Sequence, residues 1–70
     1  MTEYLVIYEQ AEDGGWGAHS PDLGGVFVAG STRDEAEELM KEAVALYLDE
    51  LRRSGQPIPE ARTVAGRVAA

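Results

Sequence analysis

Three short apolar runs separated by glycine-containing turns fill residues 4–32, which read YLVIYEQAEDGGWGAHSPDLGGVFVAGST. Residues 3–10 predict a first strand, residues 16–20 a second and residues 26–29 a third, because each run is rich in β-branched, aromatic or aliphatic side chains. An Asp-Gly sequence separates the first two runs and favours a tight hairpin, while residues 21–25 predict a loop. The stretch therefore predicts a three-stranded antiparallel meander.

The first and third predicted strands are apolar on both faces. Because side chains alternate across a strand, Tyr4, Val6 and Tyr8 point to one face, whereas Leu5 and Ile7 point to the other. Strands of this kind usually lie inside a sheet that is covered on both sides. An apolar face left open is unusual on a monomer. We therefore expect a homodimer or a higher oligomer, packed through the open sheet face or through sheet edges.

A single helix follows the meander and is predicted from Arg33 to Ser54. Thr32 and Glu35 have the spacing of a capping box, and apolar side chains recur at helical intervals along one stripe. Gly55 suits the position just after a helix, and the two prolines that follow prevent its continuation. This helix is expected to cover one face of the sheet, and no other segment is predicted to cover the second face.

Residues 61–69 predict a short fourth strand, with a frayed terminus as the competing interpretation. A right-handed crossover would place this strand parallel to the first. Residues 1–70 are then a single α+β domain with two layers and the order β-β-β-α-β. No second domain, linker or internal repeat is predicted.

The composition narrows the classes of function. The chain has 13 acidic and 6 basic side chains and a net charge of −7. Affinity for nucleic acid comes mainly from Lys and Arg, so no direct nucleic-acid binding is expected. The charge suits a basic partner, although solubility alone also explains it. No apolar run is long enough to span a membrane and no signal peptide is evident, so a cytoplasmic location is expected.

The sequence offers no set of residues that could carry out chemistry. It contains no cysteine and one histidine, which leaves neither disulfides nor a thiolate zinc site. His19 and Ser20 are neighbours on a predicted strand, so they point to opposite faces and cannot act together as base and nucleophile. Asp22 is explained by its place in a loop. We therefore expect no metal, no cofactor and no enzymatic activity.

Residues 15–32, GWGAHSPDLGGVFVAGST, resemble the signature of HicB-like antitoxins. In that family a Gly-aromatic pair and a short strand lead to a Pro-Asp-Leu-Pro-Gly loop, a strand ending in Gly-x-Thr and a helix rich in Glu-Ala. The similarity continues through the helix to residues 55–59, GQPIP. One departure is Gly24, where the family usually has proline.

The resemblance implies an antitoxin of a bacterial toxin–antitoxin system, with a partial ribonuclease H-like fold and no nuclease activity. Such a protein neutralises a small basic mRNA-cleaving toxin of the HicA type by covering its active site. Many relatives also carry a C-terminal DNA-binding domain, which this chain is not expected to have. The alternative is an orphan homo-oligomeric scaffold or ligand-binding domain of the same fold, and a nuclease remnant is a third interpretation.

The best candidates for partner contacts combine an aromatic anchor with acidic neighbours that suit a basic surface. They lie in the predicted hairpin and loop: Glu12, Asp13, Trp16, Asp22 and Leu23.

Overall fold

The computed structural model describes residues 2–70 and has the element order β-β-β-α. Strand β1 comprises Ile7–Gln10, β2 comprises Trp16–Ser20, β3 comprises Leu23–Gly30, and helix α1 comprises Arg33–Arg53. The strands form one antiparallel sheet in the order β1-β2-β3. The meander, the single helix and the α+β class are thus confirmed.

The register assigns each strand residue to one of the two sheet faces. Tyr8, Ala18 and Val28 form one cross-strand row, and all three belong to or pack against the buried core beneath α1. The adjacent row consists of Ile7, His19 and Phe27 and therefore lies on the face away from the helix. Strand β1 pairs with β2 alone within the described residues, so it is an edge strand and not the covered central strand that its sequence suggests.

Helix α1 begins at the predicted capping box. The Glu35 amide donates to the Thr32 hydroxyl at 3.1 Å, and the Glu35 carboxylate accepts from the Ser31 amide at 2.8 Å. These bonds satisfy two backbone donors at a helix start, where intrahelical partners are missing.

The helix ends in a Schellman motif, which fixes the direction of the chain that follows. Gly55 has a φ of 72°, a left-handed conformation that glycine adopts without steric cost. Its amide donates to the Arg52 carbonyl at 3.2 Å, and the Gln56 amide donates to the Leu51 carbonyl at 2.9 Å.

A small core lies between the helix and one face of the sheet. Its buried apolar residues come from β2, β3 and α1: Ala18, Leu23, Val26, Ala36 and Met40. Half-buried side chains from all four elements and from the residues before β1 surround them. With so few buried residues, the folding free energy depends heavily on each of them.

The predicted fourth strand at residues 61–69 does not form in this structure, where residues 56–70 adopt no regular secondary structure. Two backbone amides at the start of the segment, those of Arg62 and Thr63, are instead bound by the Asp22 side chain. Beyond them, Val64 and Val68 are 87% and 95% exposed. The side chains of residues 61–69 are compatible with a strand, but a strand forms only where a neighbouring strand pairs with it, and no such pairing occurs among residues 2–70.

Candidate partner-binding surfaces

The face of the sheet away from α1 carries an exposed aromatic side chain. Phe27, in the middle of β3, is 69% exposed and lies in the cross-strand row with Ile7 and His19. An aromatic ring at the centre of an uncovered sheet face is a typical anchor for a protein partner. We refer to the side chains of Ile7, Glu9, His19 and Phe27 as the open face.

Gly17 provides the space for this ring. A Cβ atom at Gly17 would lie 3.3 Å from Cζ of Phe27, closer than ordinary van der Waals contact. The ring therefore lies across the neighbouring strand at the position that the missing side chain would fill. The absence of a side chain at Gly17 thus leaves room for the Phe27 ring on the sheet surface.

Acidic side chains border the open face at one end. Glu9 lies two residues after Ile7 on the same face of β1, and its carboxylate is 3.9 Å from Nδ1 of His19. The β1–β2 turn continues from this end of the sheet and exposes Glu12 and Asp13. Asp13 also stabilises the turn, because its carboxylate accepts from the Gly15 amide at 2.9 Å. The expected combination of an aromatic side chain with acidic neighbours is thus present at the open face, but the aromatic residue is Phe27 and not Trp16.

The five predicted contact residues do not form one surface. Glu12 and Asp13 lie in the turn before β2, whereas Asp22 and Leu23 lie beyond its other end. Trp16 is half-buried on the helix side of the sheet, where it packs against the core, and Leu23 is only 1% exposed. Phe27 was not among the predicted contacts, although it alternates with Val26 and Val28 along the strand.

Asp22 binds the C-terminal segment of its own chain. Its carboxylate accepts hydrogen bonds from the Arg62 amide at 3.1 Å, the Thr63 amide at 3.0 Å and the Thr63 hydroxyl at 2.9 Å. The bond from the Thr63 amide is the main reason that the pKa of the Asp22 carboxyl lies below its usual value, because the bond favours the ionised form. We refer to this set of bonds as the Asp22 clasp.

An apolar groove runs between the free edge of β1 and helix α1. It has a volume of about 530 Å³. Its apolar walls come from β1 with the residues just before it and from one side of the helix: Tyr4, Val6, Tyr8, Met40, Val44 and Leu48. The Arg33 guanidinium lies 5.3 Å from the centre of the Tyr8 ring, and burial raises the pKa of the Tyr8 hydroxyl.

The remaining polar residues include the lone histidine and the carboxylates outside the surfaces described above. Residues 2–70 contain no group of three or more His, Asp or Glu side chains placed to hold a metal ion. Ser20 is buried and its hydroxyl donates to the Leu5 carbonyl at 2.7 Å, whereas His19 lies on the other face. Across the same residues, no helix is long and apolar enough to cross a membrane.

The fold defines a small α+β domain, and comparison with known proteins assigns its family. The model of the HicB-like antitoxin of bacterial toxin–antitoxin systems matches residues 4–70. The chain therefore belongs to the HicB-like antitoxin family.

Two relatives are small proteins of the group called UPF0150. One, from Synechocystis sp., is 39% identical over 60 residues, which is 86% of this chain and 76% of the relative. Another, from Thermoplasma acidophilum, is 37% identical over 57 residues, which is 81% of this chain and 83% of the relative. No solved structure matches the chain.

Proposed function

We propose that this protein neutralises a small basic mRNA-cleaving toxin of the HicA type by covering the toxin's active site. The observation that carries the proposal is the family match, which extends over nearly the whole chain. The net charge of −7 supports it, because complementary fields accelerate and orient the encounter with a basic protein. Neutralisation of this kind needs a binding surface and no chemical step, so the protein is proposed to act without enzymatic activity.

The open face is the proposed contact surface. Phe27 would insert an apolar ring into the partner, while Glu9 and the turn residues Glu12 and Asp13 would face its basic side chains. The other three predicted contact residues are proposed to contribute indirectly. Trp16 packs against the core and Leu23 lies in it, whereas Asp22 binds the C-terminal segment.

The test is binding and growth rescue with a basic toxin encoded beside this gene. Co-expression of the unaltered protein should restore growth of cells that produce the toxin. Phe27→Ala should weaken the complex at least tenfold in a titration and reduce rescue, because it removes the exposed ring without changing the core.

Leu46→Ala is the matched control for Phe27→Ala. Leu46 is 71% exposed, close to Phe27 in exposure, but it lies on α1, far from the open face. It should leave the affinity unchanged. Equal losses in both variants would reject the open face as the contact surface, and an absence of any complex with the unaltered protein would reject the toxin-neutralising function.

The second candidate function is an orphan homo-oligomeric scaffold or ligand-binding domain of the same family. The groove between β1 and α1 favours it, because its volume lies within the range of small-molecule sites. Purification of a tagged copy from its native cells should then return further copies of the chain and no toxin.

Several finer features accompany the main proposal. We infer a cytoplasmic location, no direct contact with nucleic acid, and self-association into a homodimer or higher oligomer. We also infer the partial ribonuclease H-like fold, which requires a strand beside β1 in addition to the three strands described above.

A further inference from the structure

We propose that residues 64–68 of one copy add as a strand along the free edge of β1 in a second copy, with two valines filling its apolar groove. The proposal specifies the self-association named above and is independent of toxin binding. In this arrangement the predicted fourth strand lies beside β1, as expected from the sequence, but it comes from a second copy of the chain.

The acceptor site combines backbone and apolar surface. In the part of the chain that the structure describes, strand β1 is bonded to β2 on one side only, so the backbone groups on its other side have no strand beside them. Free strand edges bind extended segments through main-chain hydrogen bonds, and pockets beside the edge select the side chains. The groove lies beside this edge, with Tyr4, Val6 and Tyr8 along one wall.

The donor segment has the complementary pattern. Val64, Gly66 and Val68 share one face of an extended segment, because side chains at every second position point the same way. The two valines are almost fully exposed in the single chain. Insertion into the groove would remove both side chains from water and contribute to dimer stability.

The Asp22 clasp favours a second copy as the acceptor. It holds Arg62 and Thr63 at the β2–β3 turn, immediately before Val64. The sheet order places this turn on the other side of β2 from the free edge of β1. The chain has already passed its own groove before the clasp, because the Pro59 carbonyl accepts from the hydroxyl of the groove residue Tyr4 at 2.6 Å. The segment would therefore have to reverse its direction to enter its own groove, whereas a neighbouring copy can receive it with the clasp intact.

The charge distribution also suits exchange between identical chains. Every acidic side chain of the sequence precedes residue 61, and the segment from 61 to 70 contains Arg62 and Arg67. The segment is thus the part of this acidic protein that a second copy would repel least. Reciprocal insertion related by a two-fold axis would fill both grooves and close the assembly as a dimer.

The test compares two full-length double variants. Val64→Asp with Val68→Asp places two charges on the face proposed to enter the groove, whereas Ala65→Asp with Ala69→Asp places the same charges on the opposite face. By light scattering at micromolar concentration, the first variant should have the monomer mass of 7.6 kDa and the second should have twice that mass. Both should keep the helical circular dichroism spectrum, because all four positions are exposed in the single chain.

Isotope-filtered NMR on a refolded mixture of ¹³C-labelled and unlabelled copies identifies the acceptor. We expect contacts between copies that join the methyl groups of Val64 and Val68 to the rings of Tyr4 and Tyr8. The proposal would be overturned if light scattering showed a monomeric unaltered protein or equal masses for the two variants. It would also be overturned if the NMR contacts of the two valines lay within one chain or went to β3. Toxin titration of the Val64→Asp, Val68→Asp variant should be unaffected, which separates this proposal from the one on toxin binding.

Discussion

Asp22 shows how a single residue can match a binding motif and serve the fold instead. Its place in a Pro-Asp-Leu loop and its charge suggested a contact with a basic partner. The carboxylate instead accepts three hydrogen bonds from Arg62 and Thr63, which lie 40 and 41 residues away in the sequence. No local pattern indicates such a contact, because its donors are two backbone amides and a hydroxyl that many sequences could supply.

Replacing Asp22 by alanine should release the C-terminal segment and leave the core folded. Hydrogen exchange at the Arg62 and Thr63 amides, followed by NMR, should become fast, because both amides lose their acceptor. The free energy of unfolding should change little, since the bonds are exposed or half-buried and the core is untouched. Glu12→Ala removes the same charge from the other end of β2 and should not affect these amides; accelerated exchange in both variants would contradict the clasp.

Acid should release the same segment from the unaltered protein. The pKa of Asp22 is lower in the folded state than its ordinary value of 3.8, so the ionised form stabilises the clasp. The clasp is therefore complete at neutral pH and is lost as the pH falls through this lowered pKa. The chemical shifts of the Arg62 and Thr63 amides should move together in this acidic range; constant shifts down to acid unfolding would contradict the assignment.

The elements differ in how far their sequences determine them. Helix α1 begins at its predicted residue and ends one residue before its predicted end. Its bounds were predictable because the capping box and the glycine after the helix are local signals. The hairpin was predictable for the same reason. Strand β3 begins at Leu23 instead of Val26, since pairing with Ser20 across an irregular register extends it through two glycines. The position of β1 at an edge depends on the absence of a neighbour, which local spacing does not reveal.

Thr32→Ala should destabilise the protein by about 1 kcal/mol through the loss of the helix cap. The midpoint of urea unfolding should fall with an unchanged slope, because the folded and unfolded states expose the same surface as before. Thr32→Ser keeps the hydroxyl acceptor for the Glu35 amide and should retain most of the stability. An equal loss in the serine variant would show that the methyl group, and not the cap, is responsible.

At the scale of the whole molecule, one thin core supports the sheet and the helix together. Met40 is 2% exposed and, with Leu23, is one of the largest fully buried side chains among residues 2–70. A 70-residue domain has a total stability of roughly 4–10 kcal/mol. The loss of one large core side chain is therefore a substantial fraction of the stability.

Met40→Ala should cost about 2–5 kcal/mol by leaving a cavity between α1 and the sheet. Thermal unfolding followed by circular dichroism should show a large fall in midpoint, or a chain that is already partly unfolded at 25 °C. Leu46→Ala, on the exposed side of the same helix, should change the stability by about 0.5 kcal/mol or less. Comparable losses would mean that Leu46 is buried in an oligomer, which a dependence of the midpoint on protein concentration would reveal.

The clasp also has a consequence for the time course of folding. Each strand pairs with its neighbour in the sequence, so the sheet closes only short loops, and such topologies fold fast. The contacts of the last residues, from Tyr4 to Pro59 and from Asp22 to Thr63, instead join positions 55 and 41 residues apart. Because closing these longer loops costs more entropy, we expect these contacts to form late in folding, after the sheet and the helix have packed together.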